Sequence, residues 1–222
     1  MSNKKMTKNE ILEVVNGMFV NHELMFLYRS GSDAYGTNSE SSDTDVTAVF
    51  KTIKGIIHAS AGDIDVFAYG YDDFLARQSI SDEIPLYNLI HADDIINVDK
   101  NLIYVNEQYK KEFKAIIELD FYKVLPLYLD AFIKYYDDLL NVQNVVVKRE
   151  YHILRIKAII DDVIKTKKYQ ININEEWLTK INKHKKNFRK LNTPKYLEEL
   201  RGYLEEIITI KNDNFKGDEG EV

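Results

Sequence analysis

The sequence predicts an α+β protein, in which a small mixed β-sheet with flanking helices is followed by a helical C-terminal part. Short apolar runs with period-two alternation lie between residues 24 and 69, separated by glycine-containing turns. After residue 72 most segments have apolar residues three and four apart. We expect a first domain over 1–100, a helical domain over 101–211 and a disordered acidic tail over 212–222.

The first domain is expected to open with an amphipathic helix over residues 7–19. Thr7 and Glu10 have the spacing of a capping box. The apolar stripe of this helix has four members: Ile11, Val14, Val15 and Met18. Four strands are predicted next, over 24–28, 45–52, 56–59 and 63–69.

Helical spacing dominates the remainder of the chain. We expect one helix to begin near Asp72, another over 84–91, and a short extended piece at 95–98. Pro126 is expected to divide 106–140 into two helices, because proline lacks the N–H that a helix interior uses. Three more helices are predicted: one over 145–166, one from the cap Asn174 to about 189, and one that Thr193 caps and Pro194 begins.

Composition and charge limit the kinds of site to consider. The chain has no cysteine, which excludes thiolate zinc sites and cysteine nucleophiles and fits a reducing, cytoplasmic compartment. It has no apolar run of about 18 residues, so no membrane partner is expected. Residues 1–141 carry 13 Lys and Arg against 23 Asp and Glu, whereas residues 142–211 carry 16 against 9. This division suits a metal site beside a surface for phosphates, although solvated lysine-rich helices are the commoner explanation.

The most informative stretch joins a Gly31-Ser32 turn to Asp43 and Asp45 at the head of a predicted strand. Side chains two residues apart in a strand point to the same face, so these carboxylates would lie together and repel each other. A Mg²⁺ ion, or Mn²⁺, would relieve that repulsion and prefers oxygen ligands. The turn could hold a triphosphate through its backbone N–H groups and the Ser32 hydroxyl, since glycine allows a close approach of the chain.

A third carboxylate would complete a site for phosphoryl transfer, because metals that hold both the attacking and the leaving oxygen need several oxygen ligands. The second Asp-x-Asp pair, Asp63 and Asp65, offers it at the head of the following strand. Alternation alone leaves both residues as candidates. Asp33 also stands close to the proposed triphosphate, where its charge is unfavourable unless the side chain points away or meets the metal.

These residues resemble a known family. A Gly-Ser turn, about ten residues and then Asp-x-Asp is similar to the DNA polymerase beta-like nucleotidyltransferases. Within that superfamily, the stretches 31–37, 42–45 and 65–75 resemble the predicted nucleotidyltransferases associated with RNA repair. By position the motif matches five residues: Gly31, Ser32, Asp43, Asp45 and Asp65. The chain departs from the pattern at 81–85, where the family usually has Asn-Pro.

Other candidates are less specific. Lys148, His152 and Arg155 share a helix face, which either contacts a triphosphate or an acceptor or is only solvated. The five histidines are far apart in sequence, so a histidine metal site is not expected. Three tyrosines near the motif could stack a base: Tyr35, Tyr69 and Tyr71.

The resemblance implies a nucleotidyltransferase that moves a nucleoside monophosphate from a nucleoside triphosphate such as ATP to an acceptor hydroxyl. It implies Asp43, Asp45 and Asp65 as catalytic and metal-binding residues. Gly31 and Ser32 would bind the nucleotide, and Lys148 and Arg155 would contribute from the basic helix. RNA is the implied acceptor, with a protein or a small molecule as alternatives. A non-catalytic module that binds RNA or protein on the same fold is the competing hypothesis.

Overall fold

The computed structural model describes residues 6–38, 42–78, 101–117, 121–141, 150–166, 173–191 and 193–215. The chain forms two compact units, Met1–Leu119 and Asp120–Val222. The first contains a five-stranded mixed sheet with flanking helices, and the described part of the second is helical. The predicted α+β class is therefore confirmed. The domain boundary predicted after residue 100 lies outside the described residues.

The strands of the sheet are β1 (Leu24–Arg29), β2 (Thr44–Phe50), β3 (Ile56–Ala61), β4 (Ile64–Gly70) and β5 (Leu102–Val105). Their order is β3-β4-β2-β1-β5. Strands β2 and β4 run parallel, and the other neighbouring pairs run antiparallel. The first four strands match the prediction. The sequence pattern does not predict β5, and the extended piece expected at 95–98 lies outside the described residues.

The described helical segments of the first unit are α1 (Lys8–Met18), α2 (Gly31–Ala34), α3 (Tyr71–Gln78), a 3₁₀ turn (Glu107–Tyr109) and α4 (Lys110–Ile117). The predicted capping box of α1 is present, because the Thr7 N–H donates to Glu10 Oε2 at 2.7 Å and the Glu10 N–H donates to Thr7 Oγ1 at 3.3 Å. The helix expected over 84–91 lies outside the described residues.

Helices pack against both faces of the sheet. Ile11 and Val15 of α1 join a core with Val46, Ala48 and Phe50, which share one face of β2. The other face of the sheet packs on a second core of aromatic and apolar side chains from β1, β2, β4, α3 and α4: Met25, Phe26, Tyr28, Val49, Tyr69, Phe74 and Phe113. Polar residues at the heads of β2 and β4 on this second face are therefore close to a buried apolar layer.

The second unit contains α5 (Phe121–Asn141), α6 (Tyr151–Thr166), α7 (Glu175–Leu191) and α8 (Pro194–Asn214). The predicted caps are confirmed: Asn174 Oδ1 accepts from the Trp177 N–H at 3.0 Å, and Thr193 Oγ1 accepts from the Tyr196 N–H at 3.3 Å. Helix α8 continues to Asn214, so three residues of the expected disordered tail are helical, and 216–222 lie outside the described residues.

The two helices expected over 106–140 are present as α4 and α5, but the division expected at Pro126 is wrong, because this proline lies inside α5. Its missing N–H costs one hydrogen bond in the second turn of the helix. The apolar stripe continues across it, with five buried side chains: Leu125, Leu129, Phe132, Tyr136 and Leu140. Packing of this stripe outweighs the single lost bond.

In the described part of the chain, no helix has the length and the apolar character that a membrane crossing requires.

Candidate active site

Gly31 begins the single helical turn α2, which follows β1, and it lies directly against Asp45. The Ser30 N–H donates to the Asp45 carbonyl at 2.9 Å, which ties this turn to the head of β2. Gly31 has φ +60°, and a Cβ added there would lie 2.0 Å from Asp45 Oδ2. Both the backbone conformation and the space therefore require glycine at this position.

Asp33 is buried within the same turn, where Arg29 compensates its charge. The Arg29 Nη1 and Asp33 Oδ2 atoms are 3.0 Å apart, and both side chains are nearly inaccessible. Arg29 also donates from Nη2 to the Met6 carbonyl at 2.6 Å, which fixes the guanidinium. Asp33 is thus part of a buried ion pair, so its carboxylate is not an uncompensated charge in the turn.

Asp45 and Asp65 lie opposite each other on neighbouring parallel strands. Asp45 of β2 and Asp65 of β4 are direct register partners. Partners in a sheet point to the same face and their backbones are about 4.8 Å apart. Both residues are partly exposed, so a ligand from solvent can reach them.

The other two aspartates of the motif precede their strands. Asp43 is exposed and lies two residues before Asp45, one position ahead of β2. Asp63 is exposed in the turn between β3 and β4, and its carbonyl accepts from the Thr44 N–H at 2.7 Å. Because Asp65 rather than Asp63 is the register partner of Asp45, the geometry favours Asp65 as the third carboxylate.

Edge strand β3 adds two side chains that the sequence analysis does not assign to the site. Ser60 is the register partner of Asp65, and its hydroxyl donates to Asp65 Oδ1 at 2.5 Å. His58 Nε2 lies 3.9 Å from the same oxygen, and its ring stacks on Phe67 with centroids 4.5 Å apart. A signal for both was present in the sequence, because a two-residue Gly62-Asp63 turn fixes the pairing of a hairpin.

Two buried hydroxyls adjoin the acidic pair. The side chains of Ser30 and Thr47 are fully buried, and neither hydroxyl has a hydrogen-bond partner among the described residues. Thr47 lies two residues after Asp45 and so shares its face of β2. Leaving such groups without partners is costly, so these positions suit a polar ligand or ordered water.

The donor chemistry of Asp45 and Asp65 suits a hard divalent cation, since carboxylate oxygens are its preferred ligands. Within the ranges that the structure describes, however, no group of three or more Asp, Glu or His side chains is arranged to hold a metal ion. The structure thus pairs two of the predicted carboxylates, and the three-carboxylate metal site stays a prediction. The phosphate-binding role of Gly31 and Ser32 also stays a prediction.

The structure describes only part of the predicted basic helix face. Lys148 lies outside the described residues. Arg155 is 1% exposed, and its Nη2 lies 3.4 Å from His152 Nδ1. The alternative of a solvated face is therefore wrong for Arg155. It belongs to the second unit, and its role in nucleotide binding stays a prediction.

The three tyrosines near the motif differ in accessibility. Tyr35 and Tyr69 are buried at 4% and 3% exposure, so their rings belong to the core. Tyr71 is partly exposed, and the Lys51 ammonium lies 5.6 Å from its ring centroid. Burial, with Glu112 and Asp72 nearby, raises the pKa of Tyr71, so its hydroxyl stays neutral. Only Tyr71 of this set presents an accessible ring for a base.

Comparisons with known proteins give little to set beside this geometry. No family model and no curated protein matches the chain. Among solved structures, the chain is similar to a nucleotidyltransferase-like protein from Exiguobacterium sibiricum 255-15. The identity is 10%, the TM-score is 0.32, and the match covers 93% of this chain and 74% of that one. A likeness at this level does not assign a function, which has to be inferred from the residues themselves.

Proposed function

We propose that the protein is a metal-dependent nucleotidyltransferase that transfers a nucleoside monophosphate from a nucleoside triphosphate to an acceptor hydroxyl. The observation that supports this most is the register pairing of Asp45 with Asp65, with Asp45 packed against Gly31. Two neighbouring carboxylates beside a glycine turn suit the polyanionic substrate only if a cation accompanies it. The resemblance of the Gly-Ser and Asp-x-Asp motif to that of nucleotidyltransferases supports the same proposal from the sequence.

In the proposed site Asp43 and Asp45 would hold Mg²⁺ or Mn²⁺, and Asp65 would complete the ligands of the metal ion on the acceptor side. When bound, the metal supplies charge neutralisation at the phosphates. The turn at Gly31 and Ser32 orients the triphosphate. The acceptor oxygen attacks the α-phosphorus, the bond to the bridging oxygen breaks, and pyrophosphate leaves with that oxygen. The Asp65 carboxylate favours loss of the acceptor proton.

The identity of the acceptor belongs to the same proposal. RNA is favoured by the resemblance and by the excess of basic residues over 142–211. A protein or a small molecule would need only a different acceptor surface. A cytoplasmic location is proposed with it, because a chain without cysteine suits a reducing compartment.

A non-catalytic module that binds RNA or protein is the second candidate. It is favoured by one observation, the lack of a three-residue metal-binding group in the part of the chain that the structure describes. The module and the enzyme differ in their response to metal. Calorimetry with ATP should show binding that requires Mg²⁺ for the enzyme, and no Mg²⁺-linked nucleotide binding for the module.

Transfer itself is tested with labelled nucleoside triphosphates and Mg²⁺ or Mn²⁺ over RNA, protein and small-molecule acceptors. Asp43→Asn and Asp45→Asn should each abolish label transfer. Asp63→Asn is the matched control, because Asp63 is a neighbouring aspartate that lies in the turn and is not the register partner of Asp45. Undiminished transfer by Asp45→Asn would refute the assignment. If Asp63→Asn abolishes transfer and Asp65→Asn does not, then Asp63 is the third carboxylate.

A further inference from the structure

The Asp65 carboxylate has one close hydrogen-bond donor among the described residues, and that donor comes from the edge strand. The Ser60 hydroxyl donates to Asp65 Oδ1 at 2.5 Å. This distance is at the short end of the range for a hydroxyl that donates to a charged carboxylate. His58 Nε2, at 3.9 Å from the same oxygen, is beyond hydrogen-bond range.

The backbone fixes this contact. Ser60 and Asp65 are register partners in the antiparallel β3–β4 hairpin, so their side chains lie on the same face. The hairpin turn has only two residues, Gly62 and Asp63, between the paired residues Ala61 and Ile64. Gly62 has φ +61°. A turn this short leaves no freedom of register, so the hydroxyl is held opposite Asp65 even though Ser60 is exposed.

We infer that Ser60 is a positioning residue for Asp65, an inference that rests on the proposed nucleotidyltransferase function. By engaging Oδ1, the Ser60 hydroxyl sets the rotation of the carboxylate. Oδ2 is then the oxygen left for a cation or for the acceptor hydroxyl. A carboxylate that is free to rotate would present either oxygen and would lose part of its orientation.

The test uses Mn²⁺ as the probe, because its binding to the full chain can be followed by paramagnetic resonance without turnover. Ser60→Ala should weaken Mn²⁺ binding in the presence of ATP, and should lower kcat about tenfold with little change in the KM for ATP. Ser60→Thr keeps the hydroxyl and should restore both quantities. A structural role in β3 alone would not be rescued in this way.

Ile56→Ala is the matched control, because Ile56 is an exposed residue on the same strand and the same face as Ser60 but is the register partner of Tyr69 and not of Asp65. Equal losses from Ile56→Ala and Ser60→Ala would overturn the inference, since the cause would then be the edge strand in general. Normal Mn²⁺ binding and kcat in Ser60→Ala would also overturn it.

The outcome separates this inference from the proposed function. If Asp45→Asn abolishes Mn²⁺ binding while Ser60→Ala leaves it unchanged, only the role of Ser60 fails. If the wild-type chain binds no Mn²⁺ with ATP and transfers no label, the proposed function fails and the role of Ser60 with it.

Discussion

Replacing Gly31 by alanine should damage the candidate site more than the same change at a neighbouring glycine. Gly31 and Gly36 have nearly equal backbone conformations, with φ +60° and +67°. An L-residue at such angles costs about 1–2 kcal/mol of stability at either position. A Cβ at Gly36 meets nothing within 4 Å, so Gly36→Ala measures this backbone cost alone.

At Gly31 the added methyl group also collides with Asp45. Its Cβ would lie 2.0 Å from Oδ2, 2.7 Å from Cγ and 2.9 Å from Cβ of Asp45, where ordinary contact begins at 3.4 Å. The whole side chain must therefore move, and not only its tip. Displacement in a packed site costs a further ~1–3 kcal/mol. A shift of about 1 Å in a catalytic group also lowers the rate by about 100-fold.

Urea denaturation of both variants gives the stability difference, and Mn²⁺ binding with ATP gives the effect on the site. Gly31→Ala should be less stable than Gly36→Ala by the cost of the collision, and should lose metal-linked nucleotide binding that Gly36→Ala retains. If the two variants are equally stable and bind Mn²⁺ and ATP alike, then contact between Gly31 and Asp45 does not determine the site.

Three further predictions concern stability. Burial lowers the pKa of His184 to about 4, so the folded chain binds fewer protons than the unfolded chain below the ordinary pKa of 6.5. Stability should therefore fall by about 3 kcal/mol as the pH drops from 6.5 to about 4. The urea midpoint of His184→Gln should change less with pH over this range than that of the wild-type chain. Arg29→Met leaves the Asp33 carboxylate buried without its ion-pair partner and should cost about 3 kcal/mol, measured by urea denaturation, with partial recovery in the double variant that adds Asp33→Asn. Thr7→Ala removes the cap of α1 and should cost about 1 kcal/mol in thermal unfolding, whereas the exposed, non-capping control Thr209→Ala should stay within about 0.5 kcal/mol.

The sequence predicts the strands and caps of this fold well because these depend on local patterns. Alternation at 45–50 shows which side chains share a face, and the Thr7, Asn174 and Thr193 caps follow from side-chain chemistry at helix starts. It does not predict β5. That strand is four residues long and partly exposed, and it pairs with β1, about 75 residues earlier in the chain. A short apolar run with a distant partner has no local signature.

The buried Arg155 shows a second limit of periodicity. Spacing assigns it to one face of α6, but every residue from Ile153 to Ile160 is buried, so this helix has no solvated side over that length. Lys157 is buried as well and forms ion pairs with Asp161 and Glu206. Which faces a helix buries depends on how many neighbours surround it, and one helix's sequence does not contain that number.

Strand directions explain why the candidate site forms at one end of the sheet. Because β1 is antiparallel to β2, the turn that leaves β1 returns Gly31 to the head of β2, beside Asp45. Because β4 is parallel to β2, its head brings Asp65 to the same level. The antiparallel edge strand β3 then ends beside that head and supplies Ser60. Each contribution depends on register, so a single-residue slip in the β3–β4 hairpin would turn the Ser60 side chain to the opposite face and leave the acidic pair without its hydroxyl donor. The two-residue turn at Gly62, which excludes that slip, is therefore as much a part of the site as the carboxylates are.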